Sequence, residues 1–373
     1  MKRIPAIEGL RAYLALWVVC NHVLAFSGFE PYRESGMVKL AMEGYLAVNI
    51  FMCISGFVIF LLLDQRRENY RQFICRRFFR IYPLYALVIC ASVPLAALNL
   101  WAFSQNREPF LDNFSGYWRQ VTPEFFHNWT WNFPLHLSLF QGLAPNAVAG
   151  QNFMQALLPP AWSITLEWQF YLLAPLFFGC ATTGRVRRIG LLAVVALAVF
   201  CGHRYSWNIG FLPYNLEFFG LGAVSYFACK YFQSHPTGLP GDSLFPVALL
   251  SALSLFLLSA RAHGVLPLCL WGIFLALILE PPSSLSSRLQ IVFTHPVVDY
   301  LGNISYSMYL SHWLVLIVVH AVWTRLFPAL NQAVYFWSLL GVTITATIGV
   351  SALLHRLVEI PGMAWGRRLA AKL

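Results

Sequence analysis

Long apolar runs dominate the chain, and only scattered polar residues interrupt them. A helix of about 20 apolar residues is long enough to cross a bilayer, and helical length and continuity select ten such runs. The predicted spans are 10–28, 44–63, 81–101, 160–180, 189–205, 211–231, 244–260, 264–280, 300–323 and 333–355. The pattern therefore predicts an all-α polytopic membrane protein, a bundle of about ten transmembrane helices.

The distribution of lysine and arginine sets the predicted orientation, because cytoplasmic loops are enriched in these residues. An even number of spans places both termini on the same side. If that side is the cytoplasm, 17 of the 25 lysines and arginines lie on it and seven lie on the other side. Both termini are therefore predicted to be cytoplasmic.

Composition supports a membrane protein and excludes other classes. The chain is 58% hydrophobic and 11% charged, whereas soluble domains carry about 25% charged residues. Because membrane orientation accounts for most of the net charge of +10, nucleic acid is not an expected partner. The eight cysteines lack metal-ligand spacing, so neither a metal site nor a structural disulfide is predicted.

One segment differs from the rest: residues 102–159 are long, polar and rich in aromatic residues and prolines. It is predicted to be an extracytoplasmic loop, and loops of this size often carry function. Its aromatic side chains could stack on sugar rings or form a belt at the membrane surface, and both interpretations stay open. Residues 1–373 are otherwise predicted to form a single membrane-embedded domain with no appended soluble domain.

The first apolar run contains two ionisable residues, Arg11 and His22. Eleven residues bring a helix back to almost the same face, with a rise of about 16 Å. Ionisable side chains in hydrocarbon usually face the protein interior or a water-filled cavity. Both side chains are therefore expected to face into the bundle at different depths. The alternative is that Arg11 reaches the interface and His22 is an ordinary buried histidine.

A second group of charges precedes the third span, where Arg76, Arg77 and Arg80 are spaced to share a helix face. Arginine side chains bind phosphate oxygens through two parallel hydrogen bonds. The cluster therefore indicates a phosphate-bearing ligand. Two alternatives are a purely topological signal that keeps the segment in the cytoplasm and contact with anionic lipid.

The fourth span contains Ser163 and Glu167, one helical turn apart. Glu167 lies about a third of the way into the span from the outer side. A carboxylate at that depth must be neutral or have a cationic partner. Because His22 lies in the outer half of its own helix, it is the predicted partner of Glu167.

The ninth span presents a polar stripe, since Ser305, Tyr309 and His312 fall at positions i, i+4 and i+7. Such a stripe can belong to a site or can supply hydrogen bonds between helices. Two further acidic residues receive little weight. Glu217 is a buried carboxylate without a predicted partner, and Glu359 is interpreted mainly as part of a helix end.

Together these segments resemble acyltransferase family 3, the membrane-embedded O-acyltransferases that modify bacterial surface and secreted saccharides and some macrolide antibiotics. The resemblance covers nearly the whole chain. The matching motifs are Arg-x10-His (Arg11, His22), Arg-x-x-Arg (Arg77, Arg80), WSITLEWQFY (Ser163, Glu167) and SYSMYLSH (Ser305, Tyr306, Tyr309, His312).

The resemblance implies a location in the bacterial inner (plasma) membrane and a cytoplasmic acyl-CoA donor, commonly acetyl-CoA, with no permanently bound cofactor. It implies a hydroxyl acceptor on a saccharide, a lipid-linked saccharide or a macrolide-type compound. His22 is then the expected general base and Glu167 its support. The expected coenzyme A contacts are Arg11, Arg76, Arg77 and Arg80, and the expected substrate or oxyanion contacts are Ser163, Ser305, Tyr306, Tyr309 and His312.

Two alternatives stay open on the sequence. A covalent acyl-enzyme could form on Ser163 or on a tyrosine. A transporter or flippase for a saccharide or an acylated product would also combine a helical bundle with buried Glu and His. No inverted repeat or pair of broken helices is visible in the sequence to favour the transporter.

Overall fold

The structure is a computed structural model that describes residues 4–66, 68–105, 111–146, 150, 153–204, 207–234, 269–275, 290–327 and 330–373. No β-strand occurs in these ranges. The helices are α1 Pro5–Phe26, α2 Gly36–Ala41, α3 Gly44–Gln65, α4 Tyr70–Gln105, α5 Asp112–His127, α6 Trp129–Leu137, α7 Ala161–Thr182, α8 Arg185–Arg204, α9 Leu216–Ser234, α10 Pro296–Asn303, α11 Ser305–Leu326, α12 Gln332–Leu354 and α13 Ile360–Ala370. A π-helical turn, His355–Glu359, joins α12 to α13.

Six helical segments of the described chain are long and apolar enough to cross a membrane. They are α1, α3, α4, α7, α11 and the continuous stretch Gln332–Ala370. The protein is therefore a helical, multi-pass membrane protein, which confirms the predicted class.

The count of ten spans and the cytoplasmic termini stay predictions. The predicted spans 189–205 and 211–231 correspond to α8 and α9, which are helical but are not among the six. The predicted span 244–260 lies outside the described residues, as does most of 264–280.

Glycines allow the central helices to approach closely. A Cβ atom on Gly56 would lie 2.1 Å from the carbonyl oxygen of Phe219, and one on Gly222 would lie 2.0 Å from that of Cys53. Small residues permit such crossings in membranes, where packing rather than hydrophobicity drives helix association. The α3–α9 pair therefore forms a tight unit. Helix α3 also packs on α1 and α7, and α11 packs on α1 and α4.

Helix α4 begins earlier than the third predicted span. It runs without a break from Tyr70 to Gln105, so the arginine cluster occupies its first turns rather than a separate loop. The prediction that Arg76, Arg77 and Arg80 share a helix is confirmed. Their side chains are consequently fixed relative to the membrane-spanning part of the same helix.

The segment predicted as a long loop is largely helical. Helices α5 and α6 lie within residues 102–159, and Trp118, Val121 and Phe125 of α5 are buried. His136 of α6 is also buried, and its carbonyl oxygen accepts a 2.5 Å hydrogen bond from the Tyr85 hydroxyl of α4. Burial lowers the pKa of His136 to about 4. This segment is therefore packed onto the bundle, which the polar composition of the sequence did not indicate.

Candidate active site

A cavity of about 370 Å³ lies between α1, α3, α4, α7, α11 and α13. Nine of the eleven predicted site residues line it, although they come from four helices that are distant in the sequence. These nine are Arg11, Arg76, Arg77, Arg80, Ser163, Glu167, Ser305, Tyr306 and Tyr309. The remaining two, His22 and His312, contact each other close to Tyr309.

Arginines mark one end of the cavity, because Arg77 packs on Tyr171, which lies eight residues along α7 from Ser163, a rise of about 12 Å. Among the described residues six line it: Arg11, Arg66, Arg76, Arg77, Arg80 and Arg367. Four of them have carboxylate partners, and the distances are 3.6 Å for Arg11–Glu8, 3.3 Å for Arg66–Glu68, 2.9 Å for Arg76–Glu68 and 2.8 Å for Arg80–Glu359. Only two glutamates, Glu8 and Glu167, themselves line the cavity in the described chain. The lining therefore carries excess positive charge that suits an anionic ligand.

Arg77 is the arginine that most clearly lacks an anion. Its guanidinium lies 5.8 Å from the ring centroids of both Phe73 and Tyr171, but it forms no ion pair with any carboxylate of the described chain. Its Nε atom is buried and has no hydrogen-bond partner there. Because an unpaired buried donor costs free energy, an anion bound in the cavity would stabilise this side chain.

Glu167 does not contact His22, which corrects the predicted pairing. Its carboxylate accepts hydrogen bonds from the hydroxyls of Ser55, at 3.3 Å, and Tyr171, at a short distance. Tyr171 lies one turn further along α7, where an i+4 side chain meets its neighbour. Position along a helix fixes depth in the membrane, but it does not fix which neighbouring helix the side chain faces.

Two hydroxyls meet at the other end of the cavity. Ser163 Oγ and the Tyr309 hydroxyl are 2.8 Å apart, and both lie 3.2 Å from the carbonyl oxygen of Pro160. One hydroxyl donates to Pro160 and the other donates to its partner, so both protons are used within the group. Ser305 Oγ, by contrast, is buried at the cavity wall and has no partner among the described residues.

Tyr306 makes a contact between helices that the sequence did not predict. Although the residue lines the cavity, its hydroxyl donates a 2.7 Å hydrogen bond to the carbonyl oxygen of Ile81. This bond joins α11 to α4. The Tyr306 hydroxyl thus contributes to helix packing, and the predicted role of Tyr306 in binding substrate stays a prediction.

His22 and His312 form a stacked and hydrogen-bonded pair. Nδ1 of His22 lies 2.8 Å from Nε2 of His312, and the ring centroids are 5.1 Å apart. Nδ1 of His312 lies 3.1 Å from the Met308 carbonyl oxygen. A carbonyl can only accept, so this Nδ1 carries the proton and Nε2 is the acceptor of a neutral ring. His22 must then donate through Nδ1, which leaves its Nε2 with a free lone pair.

This arrangement corrects the predicted place of His312. The residue was expected to contact substrate or the oxyanion, yet its side chain is fully buried and is occupied by His22 and Met308. His312 therefore takes the position next to His22 that was expected for Glu167. The pair is near the hydroxyl end of the cavity, since the Tyr309 and His312 rings are 6.1 Å apart.

Comparison with known proteins identifies the family to which this arrangement belongs. The model of acyltransferase family 3, described as an acyltransferase domain, matches residues 4–356. The chain belongs to acyltransferase family 3. The predicted family is thereby confirmed.

The chain is also similar, at low identity, to several named acyltransferases. Acyltransferase MdmB from Streptomyces mycarofaciens is 28% identical over 201 residues, which cover 53% of this chain and 46% of MdmB. Peptidoglycan O-acetyltransferase OatA from Listeria monocytogenes is 24% identical over 391 residues, which cover 96% of this chain and 56% of OatA. A putative membrane-bound transacylase, BcsY from Komagataeibacter xylinus, is 27% identical, with 97% and 83% covered. The chain thus spans about half the length of MdmB and OatA. No solved structure matches it.

Sequence reasoning missed two residues that line the cavity, Met363 and Arg367, and one that holds a lining arginine, Glu359. Glu359 was interpreted as a helix end, but it is buried and accepts hydrogen bonds from Arg80, Ser307 and His355. Met363 and Arg367 of α13 line the cavity directly. All three lie beyond the acyltransferase family 3 match. A signal was present nonetheless, since Gly362 and Gly366 form a G-x-x-x-G pattern typical of close helix packing.

Proposed function

We propose that this protein is a membrane O-acyltransferase that moves an acyl group, commonly acetyl, from acyl-CoA to a hydroxyl of a saccharide or glycoconjugate. The observation that carries the proposal is the cavity itself, which in the described chain has arginines at one end and Ser163 and Tyr309, beside the histidine pair, at the other. The name of the relative OatA, a peptidoglycan O-acetyltransferase, supports a saccharide acceptor.

The arginine end of the cavity is the proposed site for the phosphates of coenzyme A. Guanidinium groups bind phosphate in a fork-like geometry, and Arg77 has no carboxylate partner among the described residues. Arg11 faces this cavity, and His22 follows it on α1 after a rise of about 16 Å. An extended pantetheine arm can cover that distance and bring the thioester toward His22.

His22 is the proposed general base. Its free Nε2 takes the proton from the acceptor hydroxyl as the hydroxyl oxygen attacks the thioester carbon. The tetrahedral intermediate then collapses, the carbon–sulfur bond breaks, and the coenzyme A thiolate leaves and recovers the proton. The products are an ester and coenzyme A. His312 fixes the tautomer and ring orientation of His22 by accepting from its Nδ1.

The hydroxyls of Tyr309, Ser163 and Ser305 are the proposed donors to the oxyanion of the intermediate. Glu167 has a separate role in this proposal, because it binds Tyr171 and Ser55 rather than the base. It offsets part of the positive charge of the cavity and orients Tyr171 beside Arg77. A direct transfer from acyl-CoA to the acceptor needs no covalent acyl-enzyme.

Sidedness follows from the same proposal. With ten spans and both termini in the cytoplasm of the inner membrane, the arginine end opens to cytoplasmic acyl-CoA. The histidine pair then lies toward the outer face, where a saccharide, lipid-linked saccharide or macrolide-type acceptor can approach. Of the proposed acyl-CoA donor, only the acyl group needs to reach the depth of the histidine pair.

The test is acyl transfer by purified protein in lipid nanodiscs, with acetyl-CoA and a peptidoglycan-derived disaccharide. Coenzyme A thiol release and the mass of the product are measured together. We expect His22→Ala to lower turnover about 10²- to 10⁴-fold, whereas His127→Ala, at an exposed position of α5, leaves it unchanged. Near-normal turnover by His22→Ala would refute the mechanism. Saccharide movement across proteoliposomes without acylation would support the transporter instead.

A further inference from the structure

Helix α13 reaches the arginine end of the cavity although the family match ends at residue 356. Met363 and Arg367, one helical turn apart, both line the cavity. Arg367 forms no ion pair with a carboxylate in the part of the chain that the structure describes, and its side chain is exposed. It is therefore a cation at the cavity that can bind an external anion.

Two glycines hold α13 against the arginine-bearing turns of α4. A Cβ atom on Gly362 would lie 3.0 Å from the Phe79 carbonyl oxygen, and one on Gly366 would lie 2.6 Å from Phe79 Cβ. The thiol of Cys75 approaches the Gly366 carbonyl oxygen at 3.8 Å. Close contact of this kind requires small residues. The backbone of α13 is thus fixed beside the helix that carries Arg76, Arg77 and Arg80.

The turn before α13 supplies a buried carboxylate. Glu359 is only 1% exposed, and it accepts hydrogen bonds from Arg80 Nη1 at 2.8 Å, Ser307 Oγ at 2.9 Å and His355 Nδ1 at 2.9 Å. The turn is π-helical, a form that occurs mostly as single-turn bulges inside α-helices and is frequent at functional sites. Pro361 follows, and it lacks the N–H needed for a regular helical bond. The hydrogen bond that Glu359 accepts from Arg80 Nη1 fixes one nitrogen of the Arg80 guanidinium.

We infer that residues 359–367 complete the phosphate site of the acyl donor, an inference that rests on the proposed function. Arg367 binds a phosphate group directly. Glu359 is a positioning residue that holds Arg80 at the cavity wall. The ligand chemistry is a phosphate ester, which an anionic lipid headgroup also presents, so the experiment must distinguish these two sources.

The test compares coenzyme A binding to the full chain in nanodiscs for Arg367→Ala and Arg368→Ala. Arg368 is the matched control, because it neighbours Arg367 on α13 and is exposed but does not line the cavity. We expect Arg367→Ala to raise the Kd for coenzyme A about tenfold, since a charge-assisted hydrogen bond is lost. Pantetheine, which has no phosphate, should bind both variants equally.

Several outcomes would overturn the inference, and they differ from failure of the proposed function. If Arg367→Ala binds coenzyme A like Arg368→Ala while Arg77→Ala binds it weakly, only the role of α13 is wrong. If the wild-type protein does not bind coenzyme A, the donor assignment fails as well. A loss that occurs with phosphatidylglycerol nanodiscs but not with phosphatidylcholine nanodiscs would assign Arg367 to a lipid headgroup.

The positioning role of Glu359 has its own measurement. Glu359→Gln should raise KM for acyl-CoA several-fold with kcat largely retained, because Arg80 loses its anchor but the base is untouched. Glu359→Asp should recover part of this loss. An unchanged KM in Glu359→Gln would overturn the positioning role. If the Glu359 variants do not accumulate as folded protein, the inference is decided by the coenzyme A binding of Arg367→Ala, a change at an exposed position.

Discussion

Nδ1 of His22 and Nε2 of His312 lie 2.8 Å apart, joining α1 to α11 across 290 residues of sequence. The residue that orients the proposed base is thus a second imidazole rather than a carboxylate. A neutral imidazole fixes the tautomer of its neighbour through a hydrogen bond. It supplies less charge stabilisation to the imidazolium that forms during catalysis than the aspartate of a hydrolase triad does.

The first prediction concerns this pair. His312→Leu removes the acceptor for His22 Nδ1, and we expect kcat to fall at least about 10²-fold. His312→Gln keeps an acceptor oxygen, so its kcat should lie between those of the wild type and His312→Leu. KM for acyl-CoA should not change in either variant, because the arginine end is intact. Steady-state kinetics with both substrates varied is the measurement, and equal kcat values for the two variants would contradict the orienting role.

The second prediction separates two arginines of α4. Arg77→Ala should raise KM for acyl-CoA about 10- to 100-fold, because it removes a charge-assisted phosphate contact. Its thermal stability should change little, since Arg77 has no carboxylate partner in the described chain. Arg80→Ala should also raise KM, but it leaves the buried Glu359 without its guanidinium and should cost on the order of 3 kcal/mol of stability.

The control for the arginine variants is Arg71→Ala on the same helix, since Arg71 is exposed and does not line the cavity. Kinetics and thermal unfolding in detergent are measured together for all three variants. A rise in KM for Arg71→Ala equal to that for Arg77→Ala would point to a general electrostatic effect of the basic helix start rather than a phosphate site.

The third prediction concerns the hydroxyls of Ser163 and Tyr309. If Tyr309 donates to the oxyanion, Tyr309→Phe should lower kcat about 10²- to 10³-fold with little effect on KM. Ser163→Ala should have a smaller effect, because the Tyr309 hydroxyl remains. To test for a covalent intermediate, a reaction that contains radiolabelled acetyl-CoA is quenched and the protein is examined for bound label. Label that appears on the wild-type enzyme and disappears with Ser163→Ala would replace direct transfer by an acyl-enzyme.

The fourth prediction tests the packing of α3 on α9. Gly222→Ala puts a Cβ atom 2.0 Å from the carbonyl oxygen of Cys53, and overpacking of this kind costs about 1–3 kcal/mol. Gly220→Ala on the same helix meets nothing within 4 Å, and alanine favours helix by about 1 kcal/mol. Tm in detergent should therefore fall for Gly222→Ala and stay or rise for Gly220→Ala. The reverse order would contradict the described crossing.

The sequence was informative about which residues gather around the cavity. Helical spacing placed Ser305 and Tyr309 on one face of α11 and Arg77 and Arg80 on one face of α4, and both pairs line the cavity. The same reasoning failed for Glu167. Counting residues gives depth, but the direction of a side chain relative to other helices depends on packing angles that periodicity does not contain.

Composition predicted less well which residues outside the spans form helices that pack on the bundle. Residues 102–159 looked like a polar loop, yet α5 buries Trp118, Val121 and Phe125 against the bundle. A half-buried amphipathic helix carries polar residues over the whole of its outer face, so length and polarity alone cannot separate it from a loop. Glu359 was similarly misjudged, because its partner Arg80 lies 279 residues away in sequence.

The contact of the Ser163 and Tyr309 hydroxyls with the Pro160 carbonyl oxygen has a consequence for how tightly the proposed enzyme can hold its reactants. The hydroxyl protons of Ser163 and Tyr309 are already donated, one to the Pro160 carbonyl oxygen and one to the partner hydroxyl. A substrate oxygen can therefore accept a hydrogen bond here only in competition with this peptide oxygen. A thioester carbonyl is the weaker acceptor and gains little from the exchange. A full negative charge on the same oxygen gains more. In the proposed reaction, the preference that lowers the activation barrier, stronger attraction for the transition state than for the resting substrate, is therefore set by one carbonyl of the protein's own backbone.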